Sequence, residues 1–85
     1  MDKVWYFTFG CDHALSAHVQ PIRAESAMDA RYKMLGMYGR HWCSQYDEER
    51  FAEVEVKYGA LARLPEVEVS HAEAEEIAQN LEAVA

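Results

Sequence analysis

Eighty-five residues, 51% hydrophobic and 12% aromatic, predict one domain with a core and exclude a disordered chain. The formal net charge of −7 argues against direct phosphate binding, which rests on Lys and Arg, and no apolar run approaches the ~20 residues of a membrane helix. Two cysteines, Cys11 and Cys43, are too few for a disulfide framework, and "MDKVWYF" lacks the pattern of a secretory signal, so the expectation is a cytoplasmic protein with free thiols.

The first element is "VWYFTFG", Val4 to Gly10. A short run of aromatic and β-branched residues predicts a strand, with Val4, Tyr6 and Thr8 on one face and Trp5, Phe7 and Phe9 on the other. Both faces are largely apolar, which places the strand at the centre of a sheet, covered on both sides. Gly10 is expected to end it. Residues 11–18 connect to a second strand, "HVQPIRAE", paired antiparallel with the first. Pro21 has no N–H to offer a ladder, so this strand should lie at an edge or carry an irregularity.

Ser26 caps a predicted helix that Gly39 terminates, with Asp29 as a shortened capping-box acid. Its apolar stripe is Ala27, Ala30, Met34, Met37 and Tyr38, flanked by Met28 and Leu35. Arg31 falls inside that arc. Its stem can pack on the sheet while its head reaches water or a carboxylate, or it can be a buried anchor for a ligand or partner carboxylate; the first reading is preferred.

"HWCSQYD", residues 41–47, predicts a third strand with Trp42, Ser44 and Tyr46 on one face. Over 48–58 two periods compete. Phe51, Val54, Tyr58 and Leu61 have helical spacing, whereas Val54, Val56 and Tyr58 alternate with Glu53, Glu55 and Lys57 as in a strand. Asp47 as N-cap, Glu48 and Glu49 in the first turn and Gly59 at the end favour the helix. "LPEVEVS", residues 64–70, predicts a strand with Val67 and Val69 inward and Glu66 and Glu68 outward. It echoes "RFAEVEV" as "RLPEVEV" thirteen residues on, too little for a repeat architecture. Ser70 and Glu73 open a last helix whose stripe is Ala74, Ile77, Leu81 and Val84, with Glu75 and Glu82 opposite and Glu73 and Glu76 on the flank. The sum is ββαβαβα: an α+β fold, a single domain over 1–85, with a small, mainly antiparallel sheet and helices packed on it. Residues 1–69 form the core unit and 70–85 the C-terminal helix.

Charge divides the chain. Residues 1–46 carry five cations against four anions, and residues 47–85 carry three against eleven. The acidic half, Asp47, Glu48, Glu49, Glu53 and Glu55 followed by Glu66, Glu68, Glu73, Glu75, Glu76 and Glu82, can imitate a phosphate backbone before a nucleic-acid-binding cleft. The plainer reading is that these carboxylates keep the domain soluble and support helix ends. Trp5, Phe7 and Phe9 lack the surrounding Lys and Arg of a base-stacking platform and read as core. "CDH" and "HWC" allow Cys11, His13, His41 and Cys43 to converge as a Cys2His2 zinc site, although Cys-x-His is not a usual zinc-finger spacing. No nucleophile elbow, phosphate-binding glycine loop or HExxH motif is present, so neither an enzyme nor a resident cofactor is expected.

"YFTFG", "DARYKM", "HWCSQYDEERF" and "PEVEV", taken in order over residues 4–69, resemble a loose class of small proteins encoded by phages and prophages of Gram-positive and gut bacteria. The resemblance implies an accessory factor that binds and blocks a host protein, as anti-CRISPR proteins do. The leading expectation is therefore an acidic inhibitor docking its far half on a basic groove of a CRISPR effector or other defence nuclease, without binding nucleic acid or membrane. The alternatives are a zinc-stabilised or redox-active domain using Cys11, His13, His41 and Cys43, and a structural or assembly protein that homodimerises through its last helix.

Overall fold

A computed structural model describes residues 2–84, with side chains described as far as Glu82, so Val84 of the expected apolar stripe lies outside the described side chains. The opening run forms β1, Lys3–Thr8, antiparallel to β2, His18–Ala24, on one edge and to β3, Ser44–Tyr46, on the other. The remaining elements are α1, Ala27–Tyr38; α2, Glu48–Tyr58; β4, Ala62–Arg63; β5, Val67–Glu68; and α3, His71–Val84. The chain is thus a small α+β domain with a mixed sheet, ordered β3-β1-β2, with β4 and β5 both parallel to β2 on its far edge.

Alternation along β1 explains why its two faces are apolar. Phe7 points into a core shared with Ile22, Ala30, Met34, Val69 and Ala74, beneath α1 and α3. Tyr6 points the other way and stacks on Phe51 of α2, with centroids 4.6 Å apart and planes 8° from parallel. Phe51 is 1% exposed, and burial of a ring this size contributes about 3 kcal/mol. Helices therefore cover both faces of the central strand.

β2 is an interior strand, and the irregularity expected at Pro21 lies on one side of it. The carbonyls of Val19 and Arg23 accept from Leu64 N and Val69 N, so alternate residues of β2 face β4 and β5. Pro21, between them, faces the same way without an N–H. Opposite it the chain leaves the ladder at Pro65: the strand expected over 64–70 is reduced to the two residues of β5 after that proline, and β4, which the sequence pattern did not announce, lies before it at Ala62–Arg63. The Gln20 side chain closes the gap. It is 2% exposed, its Nε2 donates to the carbonyls of Pro21 (3.0 Å) and Pro65 (2.8 Å), and its Oε1 accepts from the Tyr38 hydroxyl (3.0 Å).

Local signals set the helix starts. Ser26 Oγ accepts from Asp29 N at 3.1 Å, Asp47 Oδ1 from Arg50 N at 2.8 Å, and Ser70 Oγ from Glu73 N at 3.1 Å. Gly39 and Gly59 end α1 and α2 at φ 62° and 98°, where a side chain would be strained. Residues 48–58 are helical, which resolves the competing periods. The third strand differs from its sequence pattern. The turn after Gly39 carries Trp42 ahead of β3, where the indole donates to Gly39 O (2.9 Å) and packs edge-on to Phe7 (5.2 Å, 87°). Tyr46 lies on the opposite face, 6.2 Å from Phe51, so Trp42 does not share a face with Ser44 and Tyr46. Arg31 is exposed, with its guanidinium 5.8 Å from the Trp42 ring centroid, so it is not the buried anchor of the second reading. Among the described residues no helix is long and apolar enough to cross a membrane.

Candidate functional site

The acidic residues divide between the two faces of the sheet. Asp47, Glu48, Glu49, Glu53 and Glu55 belong to α2 and its cap, on the Tyr6 face; Glu73, Glu75 and Glu76 belong to α3, on the Phe7 face. They do not make one continuous surface. The structure gathers a smaller group: a shallow hollow of about 310 Å³ is lined by Asp2, Lys3, Arg23, Asp47, Glu48 and Glu49. Glu66 reaches the same place from the β4–β5 connection, pairing with Arg23 at 3.1 Å, and that hydrogen bond raises the Arg23 pKa, with Glu68 and Asp2 adding charge.

Several carboxylates are committed inside the fold. Glu55 accepts from both terminal nitrogens of Arg63 at 2.8 Å and from Leu61 N at 3.1 Å. The Arg63 hydrogen bonds hold its pKa down to about 2, against the opposing effect of burial. Arg63 in turn lies 5.5 Å from the Phe51 ring and 5.8 Å from Tyr6, sealing the edge of that aromatic stack. The Tyr6 hydroxyl pKa is pushed up by burial first and then by the charge of Glu48. Glu73 pairs with Lys33 of α1. Glu48, Glu49, Glu53 and Glu68 are exposed and make no side-chain ion pair among the described residues. These four are the exposed, unpaired carboxylates of α2 and β5, beside Asp47, which caps α2; Glu76 and Glu82 of α3 are also exposed without a side-chain ion pair among the described residues.

On the opposite face the structure assembles a group that has no sequence signature. Asp29, 5% exposed at the start of α1, has both carboxylate oxygens 3.1 Å from Nδ1 of His71, the first residue of α3. His71 Nε2 lies 2.9 Å from Glu75 Oε1. An Asp–His pair supplies two of the three members of a nucleophilic triad, but here the second ring nitrogen meets a carboxylate and not a hydroxyl or thiol. Ser26, beside it, accepts from Asp29 N as a helix cap. Sequence separation of 42 residues hides the pair from any local pattern.

Cys11, His13, His41 and Cys43 do surround one open hollow, and both thiols are exposed. His13 Nδ1 accepts from Leu15 N at 2.9 Å, and its ring packs 4.8 Å from Phe9. Among the described residues, no three His, Cys, Asp or Glu side chains are arranged to hold a metal ion. Comparison with known proteins finds no matching family model, no matching curated relative and no matching solved structure.

Proposed function

We propose that this chain is a binding module that docks the acidic face formed by α2 and β5 on a basic groove of a nucleic-acid-binding protein. The observation that carries the reading is the exposed set Glu48, Glu49, Glu53 and Glu68, without a cation partner among the described residues while neighbouring Glu55 and Glu66 are bound to Arg63 and Arg23. Carboxylates held on a rigid helix and the strand edge beside it present repeated negative charge to Lys and Arg side chains, as a phosphate backbone does. α3, on the other face of the sheet, takes no part in this contact. The resemblance to phage-encoded proteins makes a host defence nuclease, a CRISPR effector above all, the partner to test first.

The test is DNA cleavage by a panel of CRISPR effector nucleases, with the wild-type protein and with Glu48→Lys, Glu49→Lys, Glu53→Lys and Glu68→Lys combined. None of these four side chains holds an internal ion pair among the described residues, but Glu48 and Glu49 lie in the first turn of α2, where each reversal costs about 0.3–1 kcal/mol or somewhat more, so circular dichroism should show the wild-type fold with a modestly lower Tm. Inhibition by the wild type should weaken as salt rises, because exposed charge pairs are screened within about 8–10 Å at 0.1–0.15 M salt. The combined variant should not inhibit. A folded variant that inhibits as well as the wild type removes the acidic-face reading, and a panel untouched by the wild type removes the nuclease as partner.

A further inference from the structure

We propose that His71 is a pH-sensitive latch between α1 and α3, closed when its ring carries a proton and loosened when it does not. The two helices meet at one position per turn: Asp29 with His71, Lys33 with Glu73, and Gly36 with Ile77, whose Cδ1 and Cγ2 would lie 3.5 Å from a Cβ at that glycine. α3 pairs with no strand, so these contacts and the buried Ala74 attach it to the domain. His71 is its first residue, and release there frays the helix from its start.

The geometry demands a protonated ring. Both nitrogens face carboxylate oxygens, Nδ1 at 3.1 Å from Asp29 and Nε2 at 2.9 Å from Glu75. A neutral imidazole has one N–H, so only the imidazolium donates to both. Without the proton one nitrogen presents a lone pair to an anion, and buried Asp29 loses its counter-charge. The groups facing the ring are Asp29 from α1 and Glu75 from α3; Tyr32 and Glu82 line the adjoining hollow of about 440 Å³, and Lys33 is engaged with Glu73. The side chain is 61% exposed, so solvent protons reach it freely.

The His71 pKa is raised, first by its hydrogen bond to Asp29 and then by the charges of Asp29 and Glu75, against a smaller opposing effect of desolvation. The positive end of the α3 dipole also opposes the proton. A histidine raised in the folded state stabilises fully below its unfolded pKa near ~6.5 and loses that contribution as pH climbs through the folded value. The latch therefore holds below the unfolded value and slackens as pH rises through the higher folded one. It is independent of the proposed docking face, which lies across the sheet.

Amide hydrogen exchange of the full-length protein, followed by NMR from about pH 5 to about pH 8, tests the latch. Protection of the α3 amides, relative to those of β1, should be lost with rising pH at the midpoint where the His71 ring titrates. His71→Gln and Asp29→Asn should each show low α3 protection at both ends of the range, with no midpoint. A wild-type α3 whose relative protection ignores the His71 midpoint overturns the proposal without recourse to any variant, as does a folded His71→Gln that keeps the wild-type pH profile.

Discussion

Gln20→Met tests whether one buried amide holds the split edge of the sheet together. The side chain joins β2, the Pro65 bend and α1 through bonds of 3.0, 2.8 and 3.0 Å to Pro21 O, Pro65 O and the Tyr38 hydroxyl. Methionine keeps the shape and makes none of them. Pro65 is exposed and Tyr38 half-buried, so water replaces the amide at both. Pro21 is buried, and its carbonyl is left without a donor, a loss of about 1–3 kcal/mol. The two hydrated bonds add roughly 1 kcal/mol, and the more apolar methionine offsets a similar amount. The net expectation is about 2 kcal/mol, or a Tm lower by about 10 °C in a chain of this size. Urea denaturation measures it, and a cycle with Tyr38→Phe isolates one bond: Tyr38→Phe should cost about 1 kcal/mol in the wild type and nearly nothing beside Gln20→Met. A Gln20→Met protein within about 0.5 kcal/mol of the wild type refutes the reasoning, because water would then be bridging the proline gap unaided.

Gly36→Ala should stabilise the protein. A Cβ there meets the Ile77 methyls at 3.5 Å, an ordinary contact, and the exposed helix interior gains about 1 kcal/mol in propensity; a clear loss of thermal stability would mean that α1 and α3 approach more closely than this. Glu55 should titrate, in a carboxylate-resolved NMR experiment, near its folded value of about 2, and Arg63→Gln should return it towards the ordinary carboxylate range. Its pKa is lowered on folding, so its stabilising contribution is present above the unfolded value near ~4.3 and is lost as pH falls through the folded one. Acid unfolding of Arg63→Gln should lack that component, and identical acid profiles for the two proteins would contradict the Glu55–Arg63 tie.

Much of the fold is legible locally because helix ends are decided by residues adjacent in the chain. The two "EVEV" tetrads make the point. Glu53–Val56 is helical, and Glu66–Val69 is extended and contributes β5. Asp47 caps the first and Ala52 continues it, whereas Pro65 removes an N–H and holds Leu64 extended ahead of the second. The doubly apolar opening run announced a central strand for a similar reason: side-chain alternation is a property of the strand itself. The candidate site was less legible. Sequence located the acidic half, but not that its helices lie on opposite faces of the sheet, nor that Glu55, Glu66 and Glu73 are bound to cations that lie 8, 43 and 40 residues away.

The sequence by itself determined the ends of α1, the start of α3, which strand is central and where negative charge concentrates, because each follows from neighbours within a few residues, whereas over 48–58 it only favoured the helix that the structure shows. Tertiary structure alone decided the parallel pairing of β4 and β5 with β2, the Gln20 bridge over two prolines, and the meeting of His71 with Asp29. Those depend on which faces pack, and packing joins residues that no local spacing connects.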